Sequence, residues 1–194
     1  MEINPDDLGS AYRLLSTAVT PRPIAWVSTR NPDGVDNLAP FSFFTVASIS
    51  PPILAFYPVG TGEDLKDTAR NVRDTEQCVV NVVTRDLAAA MNETAATLAP
   101  DESEFDRAAV TRAESACVAP PRVAEARVAF ECDLYDLREI GSSTQVLAEV
   151  VYAHVDDDVT TEGQIDIDKL DTVGRLAGSL YASTDDRFSL ERPP

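Results

Sequence analysis

Six segments rich in β-branched and aromatic residues, each bounded by Pro, Gly, Asn or Asp, recur along the 194-residue chain: Pro23–Thr29, Phe41–Ser48, Ile53–Tyr57, Cys78–Thr84, Arg127–Leu137 and Gln145–Val155. This pattern constrains the fold most, because strands must pair and a chain with this many readily closes into a barrel. Asn31-Pro32-Asp33-Gly34 follows the first segment, and Asp-Gly suits a tight turn since glycine tolerates positive φ, so a hairpin is expected there. Helical patterning occupies Leu8–Ser16, Glu63–Arg73 and Asp86–Ala96, with Thr61 and Asp64 as a capping-box-like pair ahead of the second. Pro100–Val123, with Pro100, Pro120 and Pro121, reads as an irregular excursion holding at most one short helix. No repeat or low-complexity tract divides the chain, so residues 1–194 are expected to form a single domain, mainly β with flanking helices.

Charge narrows the function. Thirty-three acidic residues against sixteen basic ones give a net charge of −17, a field that repels nucleic acid and anionic lipid. Lys66 and Lys169 are the only lysines, and excess carboxylate with arginine in place of lysine reads as a halophilic adaptation, concentrated salt screening the self-repulsion. No apolar run approaches the roughly 20 residues of a membrane helix. The acidic start, Met1–Asp7, is unlike a secretory leader, which points to the cytoplasm. Cys78, Cys117 and Cys132 lack a CxxC pairing and read as buried free thiols.

Few side chains can carry catalysis. His154 is the single histidine; it lies in a strand-like run with no Gly-x-Ser-x-Gly elbow elsewhere, so a structural or surface role is expected and no catalytic residue is assigned. The cysteines and histidine lack metal-ligand spacing, and no metal is assigned. Neither GxGxxG nor a P-loop occurs, so any cofactor must be held in another way. Two segments could do this. In Asn37–Leu54, aromatic residues alternate with hydroxyl residues before a double proline, offering apolar walls for a flat ring, backbone amides for its polar edge and hydroxyls for a phosphate; an ordinary core strand and stiff corner would read the same. In Lys66-Asp67-Thr68-Ala69-Arg70-Asn71, a retained lysine and a threonine could meet a phosphate, or the segment could be an exposed amphipathic helix.

Taken together, Thr20–Thr29, Asn37–Phe44, Ser48–Pro52, Lys66–Asn71, Ala148–Val151 with His154–Asp157, and Gly174–Tyr181 resemble, in order, the motifs of the flavin reductase-like family, which includes flavoredoxins and the reductase components of two-component flavin monooxygenases. The resemblance implies an FMN-binding split β-barrel of Greek-key type, assembled as a homodimer with FMN near the interface. By position, Ser42, Phe43, Phe44 and Thr45 would line the isoalloxazine and ribityl chain. Ala47, Ser48, Lys66, Asp67, Thr68 and Asn71 would surround the ribityl hydroxyls and phosphate, while Arg175 and Tyr181 would close the site. The implied activity is an FMN-dependent oxidoreductase passing electrons from NADH or NADPH to flavin, a partner monooxygenase or another redox protein. The alternative is a flavoredoxin-type electron carrier without nicotinamide activity. Gly141-Ser142-Ser143-Thr144 stands where the shorter reductases carry a nicotinamide-side histidine.

Overall fold

The computed structural model describes residues 2–99 and 101–193. In chain order the helices are α1 (Tyr12–Ala18), α2 (Asp67–Thr75), α3 (Ala88–Glu93) and α4 (Glu104–Arg107). The strands are β1 (Ala25–Arg30), β2 (Asp36–Phe41), β3 (Phe44–Ile49), β4 (Pro52–Phe56), β5 (Gln77–Val82), β6 (Arg112–Ala113), β7 (Arg122–Val123), β8 (Val128–Ile140), β9 (Ser143–Val155), β10 (Thr160–Thr161), β11 (Gln164–Ile165), β12 (Val173–Arg175) and β13 (Tyr181–Ser183). No helix among the described residues is long and apolar enough to cross a membrane.

Seven strands pair antiparallel in the order β2-β1-β5-β8-β9-β4-β3. Laid flat, that sheet would separate its edges by roughly 29 Å at about 4.8 Å per strand. Its edge strands β2 and β3 are nevertheless joined by Ser42-Phe43 alone, a connection that reaches only about 11 Å at 3.8 Å per Cα step. The sheet must therefore curl until its edges nearly meet, which makes it a barrel split between β2 and β3.

Both faces of the barrel wall are buried on its β1 side. Ala25 and Val27 pack with Leu54, Phe56, Val72, Cys78, Val80, Cys132, Val146 and Ala148. Between them in sequence, Trp26 joins a second cluster with Ile24, Leu38, Val83, Leu87, Met91 and Phe105. Two-sided burial explains why Ile24-Ala25-Trp26-Val27 is apolar without alternation. Burying the large enclosed side chains of the two clusters, Trp26, Leu38, Phe56, Met91 and Phe105 among them, contributes on the order of 1.5–3 kcal/mol each before chain entropy is set against it.

The hairpin expected at Asn31–Gly34 forms between β1 and β2: Gly34 takes φ 89°, its N–H donates to the Asn31 carbonyl at 3.0 Å, and the Asn31 side chain accepts from the Val35 N–H at 2.8 Å. Three expectations shift. Phe41–Ser48 is two strands, because the chain turns at Ser42-Phe43 to cross the split. Thr61 makes no side-chain cap; Gly62–Asp64 is a short 3-10 turn and the regular helix begins at Asp67. Cys117 is exposed, whereas Cys78 and Cys132 are buried opposite one another on β5 and β8. Residues 101–123 hold the short α4 and the two-residue ladder β6–β7, and Pro100 lies outside the described residues.

Candidate functional site

A cleft of about 330 Å³ opens where the barrel splits. One wall is β2 and its exit, Asn37 and Ala39–Phe43; the others come from Tyr57 and Val59 after β4, the start of α2, Thr94–Leu98 after α3, Glu104 of α4 and Tyr12 of α1. The walls are β2 itself and the helix starts and loops that reach it, so the barrel fixes where they meet.

The aromatic side chains are held from behind. Phe41 stacks on the buried Phe56 at 5.4 Å between ring centres, and Phe43 lies 6.2 Å from Tyr12. The Tyr57 hydroxyl accepts from Gln145 Nε2 at 2.8 Å, and Gln145 Oε1 accepts from Arg138 Nε at 2.6 Å, so β8 and β9 orient a phenol on the cleft. The β8–β9 tip also pins the loop after β4: Gly60 N–H donates to the Ser142 carbonyl at 2.9 Å and the Thr144 hydroxyl to the Gly60 carbonyl at 2.8 Å. The Thr94–Leu98 wall is set by Trp26, whose Nε1 donates to the Thr94 hydroxyl at 2.9 Å.

The polar end is α2. Lys66 sits at its N-cap without a side-chain cap, which leaves the first-turn N–H groups without intrahelical acceptors. Thr68 is buried, and its hydroxyl accepts from Asn37 Nδ2 at 3.2 Å while keeping its own proton for a further acceptor. Asp67 is exposed and pairs with Arg70 one turn along. Glu104 is buried and its Oε2 accepts from the Leu38 N–H at 3.0 Å. Burial pushes its carboxyl up, outweighing the backbone N–H bonds that draw it down.

The structure therefore brings Ser42, Phe43, Lys66, Asp67 and Thr68 together on one cleft. Asn71 lies a turn further along α2, buried, with Nδ2 donating to the Thr29 hydroxyl at 3.0 Å; it lines an adjoining recess with Asn37 and Asp67. Phe44 packs on the barrel interior, and Thr45, Ala47 and Ser48 lie along edge strand β3, outside the cleft of this one chain. Arg175 stacks on Tyr181 at 4.5 Å, whose hydroxyl meets Asn92 Oδ1 at 3.3 Å; neither lines the cleft. Sequence reading did not reach Tyr12, Tyr57, Thr94–Leu98 or Glu104, which arrive only through long-range packing. The Gln145–Val155 strand pattern carried no sign that its first residue would orient Tyr57.

Comparison with known proteins covers nearly the whole chain. Residues 17–173 match the model described as a flavin reductase like domain. An uncharacterized protein of Halalkalibacterium halodurans is 40% identical over 100% of this chain and 97% of its own length. The crystal structure of nitrilotriacetate monooxygenase component B from Bacillus cereus superposes with a TM-score of 0.94 at 33% identity, covering 98% of each chain. That of the Pseudomonas fluorescens 2-nitrobenzoate 2-nitroreductase NbaA superposes with a TM-score of 0.92 at 29% identity, over 100% of this chain and 96% of the other.

Proposed function

The chain belongs to the flavin reductase-like family, and from that premise we propose that it binds FMN in the cleft at the barrel split and passes reducing equivalents from NADH or NADPH to flavin or a partner protein. The observation that carries the reading is the donor set on that cleft: Phe41, Phe43 and Tyr57 at one end, and Lys66, Thr68 and the open start of α2 at the other. An apolar slot suits a flat heteroaromatic ring, while N–H groups, a hydroxyl and an ammonium suit a phosphate monoester. The residues present thus match both ends of FMN.

When bound, the flavin supplies hydride acceptance and electron transfer. The chain's own residues bind and orient: Lys66 and the α2 N–H groups neutralise phosphate, Thr68 donates to it, and Asn37 holds Thr68 in place. Phe43 and Phe41 exclude water from the ring's surroundings. Glu104 braces edge strand β2 through the Leu38 N–H and keeps the wall at its register.

A homodimer accompanies this reading. β3 ends the sheet, yet Val46 and Ile49 on it are 59% and 83% exposed. An unpaired apolar edge is a surface that a second copy can cover, and it would bring Thr45, Ala47 and Ser48 into an assembled site. The likeness to a monooxygenase component supports a partner oxygenase as acceptor. Stopped-flow mixing of FMN-loaded protein with NADH or NADPH tests the assignment: absorbance near 450 nm should bleach with at least one donor. Reduction by dithionite but by neither nicotinamide would refute the nicotinamide step.

A further inference from the structure

Arg22 is only 7% exposed, and no carboxylate among the described residues pairs with it. Its Nη1 donates to the Ser16 carbonyl and, at 2.6 Å, to that of Val19; Nη2 donates to the Leu176 carbonyl at 2.8 Å. Its Nε is buried without a partner. Buried charges are ordinarily paired, because desolvation is otherwise uncompensated. Here carbonyl dipoles, two of them at the C-terminal end of α1, solvate the guanidinium without cancelling its charge.

That charge lies beside the cleft. The guanidinium carbon is 5.8 Å from the centre of the Phe43 ring, and Phe43 lines the cleft wall. In a chain of net charge −17, a fixed cation held away from water acts with little screening by salt.

We propose that Arg22 is a positioning residue whose unpaired charge favours the reduced, anionic form of the flavin over the oxidised form. The inference rests on the reading that the cleft holds FMN. Hydride transfer moves two electrons and one proton from nicotinamide C4 to flavin N5, leaving a nicotinamide cation and a ring with one negative charge. The oxidised ring is neutral and gains little from Arg22, whereas the reduced ring is attracted. The phosphate is present in both states, so its own attraction cancels from the ratio of affinities.

The test is potentiometric titration of FMN-loaded protein with dithionite, together with separate dissociation constants for oxidised and reduced FMN. Wild type is compared with Arg22→Gln, which keeps N–H donors for the carbonyls but loses the charge, and with Arg22→Lys, which keeps the charge. Arg22→Gln should weaken reduced FMN at least about tenfold more than oxidised FMN, equivalent to about 30 mV for a two-electron couple. Arg22→Lys should restore most of that ratio. Wild type itself, whatever the variants' stability, should show a potential that falls by about 30 mV per pH unit at about pH 6, one proton per two electrons.

Equal weakening of both forms in Arg22→Gln, or a wild-type slope of two protons per two electrons at that pH, would overturn the inference alone. A wild-type protein that takes up no FMN would overturn the reading of the cleft and the inference with it.

Discussion

Replacing Glu131 with glutamine isolates one buried carboxylate and the loop it holds. Glu131 lies on β8 with no exposed surface. Its Oε1 accepts from the Ala116 N–H at 2.6 Å and meets His154 Nε2 at 2.5 Å, while Oε2 accepts from the N–H groups of Cys117 at 2.6 Å and Val118 at 3.1 Å. A glutamine has one accepting oxygen: turned toward Ala116 it loses the Cys117 and Val118 N–H bonds, and turned toward those it sets an N–H against the Ala116 N–H, while the bonds that remain are no longer charge-assisted. Two charge-assisted bonds at about 1.5–3 kcal/mol each, discounted for shared context, give a loss of about 3–5 kcal/mol. For a chain of this size that lowers Tm by about 6–20 °C, at roughly 2–4 °C per kcal/mol.

The pH dependence follows from the same contacts. Burial pushes the Glu131 carboxyl up, but the Ala116 N–H, the His154 ring and the Cys117 and Val118 N–H groups together outweigh it and hold it below its ordinary range. A depressed carboxyl contributes stability that is fully present above the unfolded value of about 4.3 and is lost as pH falls through the lower folded value. Thermal melts of both proteins from about pH 7 down to 3 should show a gap in Tm that is present at neutral pH and narrows below about pH 4. An E131Q variant melting within about 2 °C of wild type at pH 7 would refute this account of the loop.

Gly60→Ala should destabilise by at least about 2–3 kcal/mol, since φ is 116° there and an added Cβ would sit 2.2 Å from the Asp64 carbonyl oxygen; chemical denaturation measures it, and a neutral effect would contradict the geometry. Lys66→Ala should weaken FMN about three- to tenfold, with melting unchanged in the apo protein because Lys66 is exposed; fluorescence titration reads this, and unaltered affinity would remove Lys66 from the phosphate end. Molar salt should raise the melting temperature of a chain with net charge −17; full stability at low ionic strength would end the halophilic reading.

Local chemistry made the strands legible where burial is periodic or two-sided, as along β1 and β9, and the Asp33-Gly34 turn announced its hairpin. It failed where a long-range constraint decides. The break at Ser42-Phe43 is imposed by barrel closure, and nothing in the hydroxyl-aromatic alternation marks it. Pro40 lies within β2, tolerated because that strand is an edge. The same logic divides the site: the Ser42–Phe43 and Lys66–Thr68 stretches carry their chemistry in sequence, whereas Glu104 meets Leu38 and Gln145 meets Tyr57 only once the chain has folded.

The central claim is that this cleft binds FMN, and equilibrium titration of apo protein with FMN in high salt tests it most directly. Quenching of flavin fluorescence should saturate at one FMN per chain and weaken in Lys66→Ala. Fluorescence that stays unquenched at protein concentrations of about 100 μM, where even a complex with a Kd near 10 μM would be mostly formed, would contradict it.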